Sequence, residues 1–278
     1  MLTTLVSELP ASAQRLINAF WPGPLTLLLP RSSIVPNAVT AGRALVGVRM
    51  PAHPVAQELI RRAGVPIAAP SANRFGHTSP TTAAHVLDDL DSRIDAVLDA
   101  GETVVGLEST VLDPNVSPMI VYRPGAVTLD QIRAIAGPVE LYKEDITAAS
   151  KPPESLPSPG VGLRHYAPSA RLILLELDAD SSLATLEFRV REQAQALSKE
   201  RIGLMLPTEV AAANFSPGNG IAAVFPWGSW SNPEELAHRL FAGLRHLDDL
   251  GCTVIVCPMP PEQGIGVAIR DRLRKAAT

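Results

Sequence analysis

Two arginines lie on predicted strands, at positions suited to binding an anion. Arg49 lies within the otherwise apolar strand predicted at 45–50, and Arg123 closes the apolar run 119–122 just before a Pro-Gly turn. A guanidinium group is costly to bury within an apolar strand unless it meets an anion. It binds carboxylates and phosphates through paired N–H groups. The two arginines therefore predict an anion site, while a structural ion pair for Arg49 and a solvated turn residue for Arg123 remain as alternatives.

Residues 71–79, called the polar loop below, lie between the two arginines in the sequence and include short hydroxyl and amide side chains. The apolar run 65–69 predicts a buried strand that breaks at Pro70, so Ser71 and Asn73 would lie at a sheet edge, where α/β proteins hold small molecules. Ser79 is predicted to cap a helix that begins at Pro80, which would turn free amides toward a phosphate. Taken alone, this Ser-Pro-Thr-Thr sequence is also typical of an ordinary helix start.

Alternating apolar runs and helical periodicity predict the frame that positions these residues. Before residue 140, helices are predicted at 8–20, 54–63, 80–90 and 128–136, and strands at 25–29, 45–50, 65–69, 96–101, 108–113 and 119–123. From residue 171, strands are predicted at 172–177, 202–206, 221–225 and 253–256, with helices at 182–197, 233–250 and after 266. The second pattern indicates a small parallel α/β layer.

Composition limits the function classes. The 278 residues are 46% hydrophobic, which indicates a globular protein of two domains. A net charge of −4 and an aromatic content of 4% exclude a broad nucleic-acid surface. Cys252 and Cys257 fit neither a redox pair nor a zinc site, and no metal ligands are assigned. Without a signal sequence or a long apolar run, the expected location is the cytoplasm, with no membrane association.

Prolines concentrate at 152–168, so residues 141–168 are predicted to be a semi-extended linker. It would join a first domain at 1–140 to a second at 169–278. The linker ends on Arg164, His165 and Tyr166, which together offer a cation, an imidazole and a phenol. Residues 158–168 are therefore predicted to act as a lid over a nucleotide.

Six motifs occur in a fixed order along the chain. They are Phe20-Trp21-Pro22-Gly23-Pro24-Leu25-Thr26, Val48-Arg49-Met50-Pro51-Ala52-His53-Pro54, Ala69-Pro70-Ser71-Ala72-Asn73 with Ser79-Pro80-Thr81, Glu108-Ser109-Thr110-Val111, Arg123-Pro124-Gly125 and His165-Tyr166-Ala167-Pro168. Together they resemble the threonylcarbamoyl-AMP synthases, in the long two-domain form of the YrdC family. The resemblance implies an α/β fold: a YrdC-like twisted mixed sheet with helices at 1–140, and a smaller C-terminal Rossmann-like α/β domain.

The activity that the resemblance implies is the synthesis of threonylcarbamoyl-adenylate and pyrophosphate from L-threonine, bicarbonate and ATP, with Mg²⁺ on the phosphates. The product would serve the modification of adenosine 37 in tRNA, with tRNA and tRNA-modification proteins as further partners. By similarity, L-threonine would be held by Arg49, Ala69 and Ser109. ATP or the adenylate would be held by Ser71, Asn73, Ser79, Arg123 and Tyr166. No general base is assigned.

Two other functions fit parts of the sequence: a non-catalytic RNA-binding module, and a carbamoyltransferase-type YrdC domain. The acidic net charge disfavours the first, and the lack of zinc-finger cysteines disfavours the second. Family members also carry a Lys-x-Arg-Pro segment ahead of the point where this sequence starts. The expectation is either a fragment or mis-started form of a normal enzyme, or a protein with impaired activity.

Overall fold

The computed structural model describes residues 1–143, 166–178, 181–218 and 220–277, apart from the side chains of 212–214. The helices are α1 Leu2–Leu5, α2 Ala11–Phe20, α3 Asn37–Thr40, α4 Pro54–Ala63, α5 Ala83–Leu90, α6 Leu129–Ala136, α7 Leu183–Ala196, α8 Thr208–Asn214, α9 Pro233–Asp249 and α10 Gly266–Ala277. The strands are β1 Leu25–Pro30, β2 Leu45–Val48, β3 Thr110–Asp113, β4 Met119–Arg123, β5 Val139–Leu141, β6 Arg171–Leu175, β7 Ile202–Pro207, β8 Ile221–Gly228 and β9 Val254–Pro258.

The chain divides into two compact units. The first comprises Met1–Pro70 and Glu108–Gly162, and the second comprises Ser71–Leu107 and Leu163–Thr278. The polar loop and α5 thus belong to the same unit as the C-terminal α/β layer. Most of the predicted linker and lid, residues 144–165, lies outside the described residues. The domain bounds at 140 and 168 stay a prediction.

The first unit is built on a mixed five-stranded sheet in the order β2-β1-β3-β4-β5. Antiparallel and parallel pairings alternate across the sheet. Strand β1 is antiparallel to β2 and parallel to β3, and β4 is antiparallel to β3 and parallel to β5. Leu25, Leu27 and Leu29 alternate along β1 and are fully buried, as is Leu16 of α2. The mixed sheet confirms the predicted fold of this unit.

The second unit contains a four-stranded, all-parallel sheet in the order β6-β9-β7-β8. Every residue of the central strands β7 and β9 is buried, as expected when helices cover both faces of a parallel sheet. The predicted strands and helices after residue 171 are confirmed to within a few residues. Helix α9 begins after Asn232, whose side chain accepts a hydrogen bond from the amide of Glu235, as a capping residue should.

Two predicted strands are wrong. Residues 65–69 and 96–101 pair with no other strand among the described residues, and neither segment forms a ladder. Val65 and Leu98 are 56% and 65% exposed. A strand is defined by hydrogen bonds to a neighbour, and an apolar run by itself supplies none.

No helix among the described residues is both long enough and apolar enough to span a membrane.

Candidate functional site

Strand register gathers four polar side chains at one edge of the first unit's sheet. Thr26 lies near the start of β1 and Arg49 directly follows β2; Ser109 directly precedes β3, and Arg123 ends β4. Leu27 pairs with Val48 in the antiparallel β1–β2 ladder, while Val111 pairs with Arg123 in the antiparallel β3–β4 ladder. Strands β1 and β3 run parallel, while β2 and β4 run antiparallel to them. The starts of β1 and β3 and the ends of β2 and β4 therefore lie at the same edge of the sheet. Arg49, Ser109 and Arg123 are called the arginine cluster below.

Arg123 fixes Ser109 through its side chain. The Arg123 Nε donates to the backbone oxygen of Ser109 at 3.0 Å, and its Nη2 donates to the Ser109 Oγ at 3.2 Å. The Ser109 Oγ also lies 2.8 Å from the Thr26 Oγ1. Ser109 itself is 7% exposed. Arg123 is therefore a half-buried structural partner of Ser109 and not the solvated turn residue of the alternative interpretation.

Arg49 lies within the electrostatic reach of Arg123. Although Arg49 keeps exposed surface, the surrounding protein removes part of its hydration, and this desolvation lowers its pKa. The positive charge of Arg123 lowers the pKa further. In the part of the chain that the structure describes, Arg49 forms no ion pair with an Asp or Glu, so the ion-pair alternative is not supported there. Two guanidinium groups that repel each other favour an anion between them.

Gly125 lets the chain pass close to the Ser109 backbone. A Cβ at this position would lie 2.5 Å from the amide nitrogen of Thr110 and 2.7 Å from the carbonyl oxygen of Glu108. Those atoms belong to backbone, which cannot rotate away as a side chain can. The Arg123-Pro124-Gly125 sequence thus combines a donor side chain with the one residue type that fits behind Ser109.

Ala69, predicted to contact threonine through its backbone, lies in the exposed irregular segment before Pro70. It belongs to the first unit, as does the whole arginine cluster. Because the strand predicted there is absent, no ladder fixes the Ala69 backbone within the described residues. Its role stays a prediction.

The predicted helix start at Ser79 is wrong by three residues. Helix α5 begins at Ala83, and Thr82 is its cap: the Thr82 Oγ1 accepts from the His85 amide at 3.2 Å. The amide of Thr81 is satisfied by the His85 ring nitrogen at 3.2 Å. Thr82 takes the capping position because its hydroxyl reaches the third amide of the helix. Ser79 is instead buried within the polar loop, at 6% exposed.

The polar loop is held by hydrogen bonds from its side chains to its own backbone and to the backbone of α5. The Asn73 Nδ2 donates to the carbonyl oxygens of Arg74 and His77 at 2.9 and 3.0 Å. The Arg74 Nε donates to the backbone oxygen of Asp89, in α5, at 3.2 Å. Ser71, at the start of the loop, is exposed. The structure thus places Ser71, Asn73 and Ser79 on one continuous loop of the second unit.

Tyr166, the predicted cover of the nucleotide, is packed inside the second unit. Its ring is 1% exposed and stacks on Phe241 with 5.6 Å between ring centroids, while the Arg272 guanidinium lies 5.1 Å from the ring centre. The backbone is left-handed, with φ 65°, an uncommon conformation for a bulky residue. The backbone oxygen of Tyr166 accepts from the Thr78 Oγ1 at 3.2 Å. Its role toward a nucleotide stays a prediction.

Sequence reasoning missed three residues that organise these regions: Thr26, Asp89 and Arg245. Arg245 had a usable signal, because it lies four residues after Phe241 and so on the apolar face of α9. A charged residue on such a face needs a partner. Asp89 carries no comparable signal, since acidic residues are common on exposed helix faces. Thr26 lies within a recognised motif, but nothing in its residue type indicates contact with Ser109.

The described residues include a cavity but no metal cluster. A cavity of about 460 Å³ in the second unit lies between the polar loop and α9, and is lined by residues that include His77, Thr78, Ser169 and Arg245. In residues 1–143, 166–178, 181–218 and 220–277, no three His, Cys, Asp or Glu side chains are grouped to hold a metal ion.

Two family models match nearly the whole chain. Residues 1–125 match a family described as "Telomere recombination", which groups Sua5, YciO and YrdC proteins, and residues 127–278 match one described as "Threonylcarbamoyl-AMP synthase, C-terminal domain". The two matches meet near the end of β4.

Individual relatives agree with these matches. A threonylcarbamoyl-AMP synthase of Pyrococcus abyssi is 38% identical over 276 residues, covering 99% of this chain and 76% of the relative. One of Bacillus subtilis is 39% identical over 277 residues, with the same shares. A crystal structure of P. abyssi Sua5 complexed with L-threonine superposes with a TM-score of 0.83 at 37% identity, covering 99% of this chain and 76% of that one.

Proposed function

Since the chain belongs to the threonylcarbamoyl-AMP synthase family, we propose that it makes threonylcarbamoyl-AMP and pyrophosphate from L-threonine, bicarbonate and ATP. The family match supports this function over the RNA-binding module and the carbamoyltransferase-type domain. The observation that supports this function at the level of individual residues is the arginine cluster, which places two guanidinium groups and a fixed serine hydroxyl at one sheet edge.

The chemistry needs positioning more than covalent help from the protein. The threonine amine attacks bicarbonate, and loss of water leaves a carbamate. A carbamate oxygen then attacks the α-phosphorus of ATP, and pyrophosphate leaves. Every reactant is an anion or carries a carboxylate, so their mutual repulsion opposes the encounter. Cationic side chains and fixed hydrogen-bond donors reduce that repulsion and orient the reacting atoms.

In this proposal the arginine cluster binds the amino acid. Arg49 pairs with the threonine carboxylate, since a guanidinium offers two parallel N–H donors to two oxygens. Ser109, held by Arg123 and Thr26, orients the bound threonine through its hydroxyl. The positive charge of Arg123 also helps to bind the adenylate. The backbone of Ala69 completes the amino-acid site.

The polar loop is assigned to ATP, with Ser71, Asn73 and Ser79 as its side chains and Tyr166 as a further nucleotide contact. Mg²⁺ would accompany the nucleotide. The donors for Mg²⁺ would come mainly from the phosphates, as is common for this ion. When bound, the ion would neutralise phosphate charge. The product would then supply tRNA modification, with the cytoplasm as the proposed location.

The test is an assay of pyrophosphate release by the purified chain, with mass spectrometry of the nucleotide product. Release that requires ATP, L-threonine and bicarbonate together, and that yields threonylcarbamoyl-AMP, is the expected result. Reactions lacking threonine or bicarbonate are the controls. Pyrophosphate release that is independent of both, or the absence of any nucleotide product, would contradict the proposal. High-affinity tRNA binding with a steep salt dependence and no turnover would favour the RNA-binding module instead.

A further inference from the structure

One arginine of the C-terminal half donates hydrogen bonds to two consecutive carbonyl groups of the polar loop. Arg245 lies near the end of α9, and its side chain is 12% exposed. Its Nη2 donates to the backbone oxygen of Thr78 at 2.5 Å and to the Asp89 Oδ2 at 2.7 Å. Its Nε is 3.4 Å from the backbone oxygen of Ser79. A single side chain therefore contacts the loop and the helix that follows it.

The polar loop depends on such contacts because it is neither helix nor strand. Its regular pairing is limited, among the described residues, to an isolated bridge between His77 and Ala167. Backbone without a ladder of its own is positioned by the side chains and carbonyl groups it meets. The carbonyl group of Thr78 immediately precedes Ser79, so a shift of that carbonyl moves the Ser79 backbone directly.

Asp89 makes the Arg245 contact a buried ion pair. Its side chain is 6% exposed, and its second oxygen lies 3.3 Å from the His77 Nδ1. A buried carboxylate that loses its counter-charge is strongly destabilised. Arg245 thus balances the charge that anchors α5, while its remaining hydrogen bonds hold the loop.

We propose that Arg245 is a positioning residue for nucleotide binding. It holds the carbonyl groups of Thr78 and Ser79, so that the polar loop keeps the geometry in which it binds ATP. The C-terminal half thereby contributes to the reaction through the loop. This inference rests on the proposed function, specifically on the assignment of the polar loop to ATP.

The experiment compares steady-state kinetics of Arg245→Gln, Arg245→Lys and Arg239→Gln. Arg239 is the matched control because it lies on the same helix and stacks on Phe225, 5.0 Å from the ring centre. Loss of charged hydrogen bonds in Arg245→Gln should raise the KM for ATP about tenfold, with the KM for threonine unchanged. Arg245→Lys should give an intermediate KM for ATP, because lysine keeps the charge beside Asp89 but not the planar fork of donors. Arg239→Gln should leave both KM values unchanged.

An unchanged KM for ATP in Arg245→Gln would overturn the inference, as would an equal loss for both substrates, which indicates general destabilisation. Should Arg245→Gln fail to fold, hydrogen exchange in Arg245→Lys decides: faster exchange confined to residues 71–79 supports the positioning role, and unchanged exchange overturns it. A wild-type chain that binds no ATP would overturn the proposed function. In that case the same exchange experiment still reports whether Arg245 holds the loop.

Discussion

The arginine cluster and the polar loop are positioned by different kinds of contact. The cluster is placed by strand register: Arg49, Ser109 and Arg123 each adjoin a strand end, and the ladders of the sheet fix those ends. The polar loop lies in the other unit and is placed by side-chain hydrogen bonds. The Arg74 side chain of the loop donates to the backbone oxygen of Asp89 in α5, and the Arg245 side chain of α9 donates to the backbone oxygen of Thr78.

The difference predicts how each region responds to mutation. A strand end is held by many backbone hydrogen bonds, so the loss of one side chain leaves those hydrogen bonds in place. A loop held by a few buried side chains loses its geometry when one of them is removed. We therefore expect side-chain truncation to be most damaging around the polar loop, and backbone crowding to be most damaging around the arginine cluster.

The largest effect is expected for Asp89→Ala. Removing this carboxylate leaves Arg245 buried without its counter-charge, which typically costs about 3–5 kcal/mol. Native-state hydrogen exchange should show the loss in residues 71–90, while threonine binding stays unchanged. Asp130→Ala is the control, because that carboxylate is 87% exposed in its ion pair with Arg133 and should contribute less than about 1 kcal/mol. Equal effects of the two substitutions would remove the distinction between the regions.

A smaller loss is expected for Gly125→Ala in the first unit. The added Cβ would meet backbone atoms of Thr110 and Glu108 at 2.5 and 2.7 Å, and crowding of this kind typically costs about 1–3 kcal/mol. Calorimetric titration should show weaker L-threonine binding, with ATP binding retained. Gly47→Ala in β2 is the matched control, since its Cβ would meet only side-chain atoms of Thr26 and Leu28, at 3.3 and 3.6 Å. Full threonine affinity in Gly125→Ala would show that the Ser109 backbone need not be fixed.

The smallest effect concerns His85, beside the polar loop. Desolvation lowers its pKa below the ordinary value of 6.5, and the charge of Arg245 lowers it further. The folded protein thus favours the neutral ring, so this residue's contribution to stability falls as the pH drops below 6.5, where the unfolded chain takes up the proton. An NMR titration should show a higher His85 pKa in Arg245→Gln than in the wild type, with Arg239→Gln unchanged. A His85 pKa that does not respond to Arg245→Gln would place the two groups in separate environments.

Much of the fold could be predicted from the sequence, because most elements carry a local signal. The parallel layer of the second unit follows from alternating apolar runs and helical periodicity, and Asn232 marks the start of α9. Arg49 was indicated by a charge within an apolar strand, and Arg123 by a charge at the end of one. The resemblance supplied Ser109, whose contacts with Thr26 and Arg123 the structure then gave.

The remaining features depend on contacts distant in sequence. Residues 65–69 and 96–101 have the composition of strands, yet strand formation requires a neighbour that composition cannot specify. Ser79 and Thr82 are both good capping residues, and the choice depended on which hydroxyl could reach the His85 amide. The bonds from Arg245 join residues 167 positions apart, so only the folded chain shows that the C-terminal half holds the polar loop.

The central claim is that the arginine cluster binds the carboxylate of L-threonine, and calorimetric titration of Arg49→Ala tests it most directly. Loss of a charged, paired contact should weaken threonine binding by about tenfold or more, with the far-UV circular dichroism spectrum retained. Arg61→Ala is the control, because that side chain is 70% exposed in an ion pair with Glu58. Wild-type threonine affinity in Arg49→Ala would contradict the account.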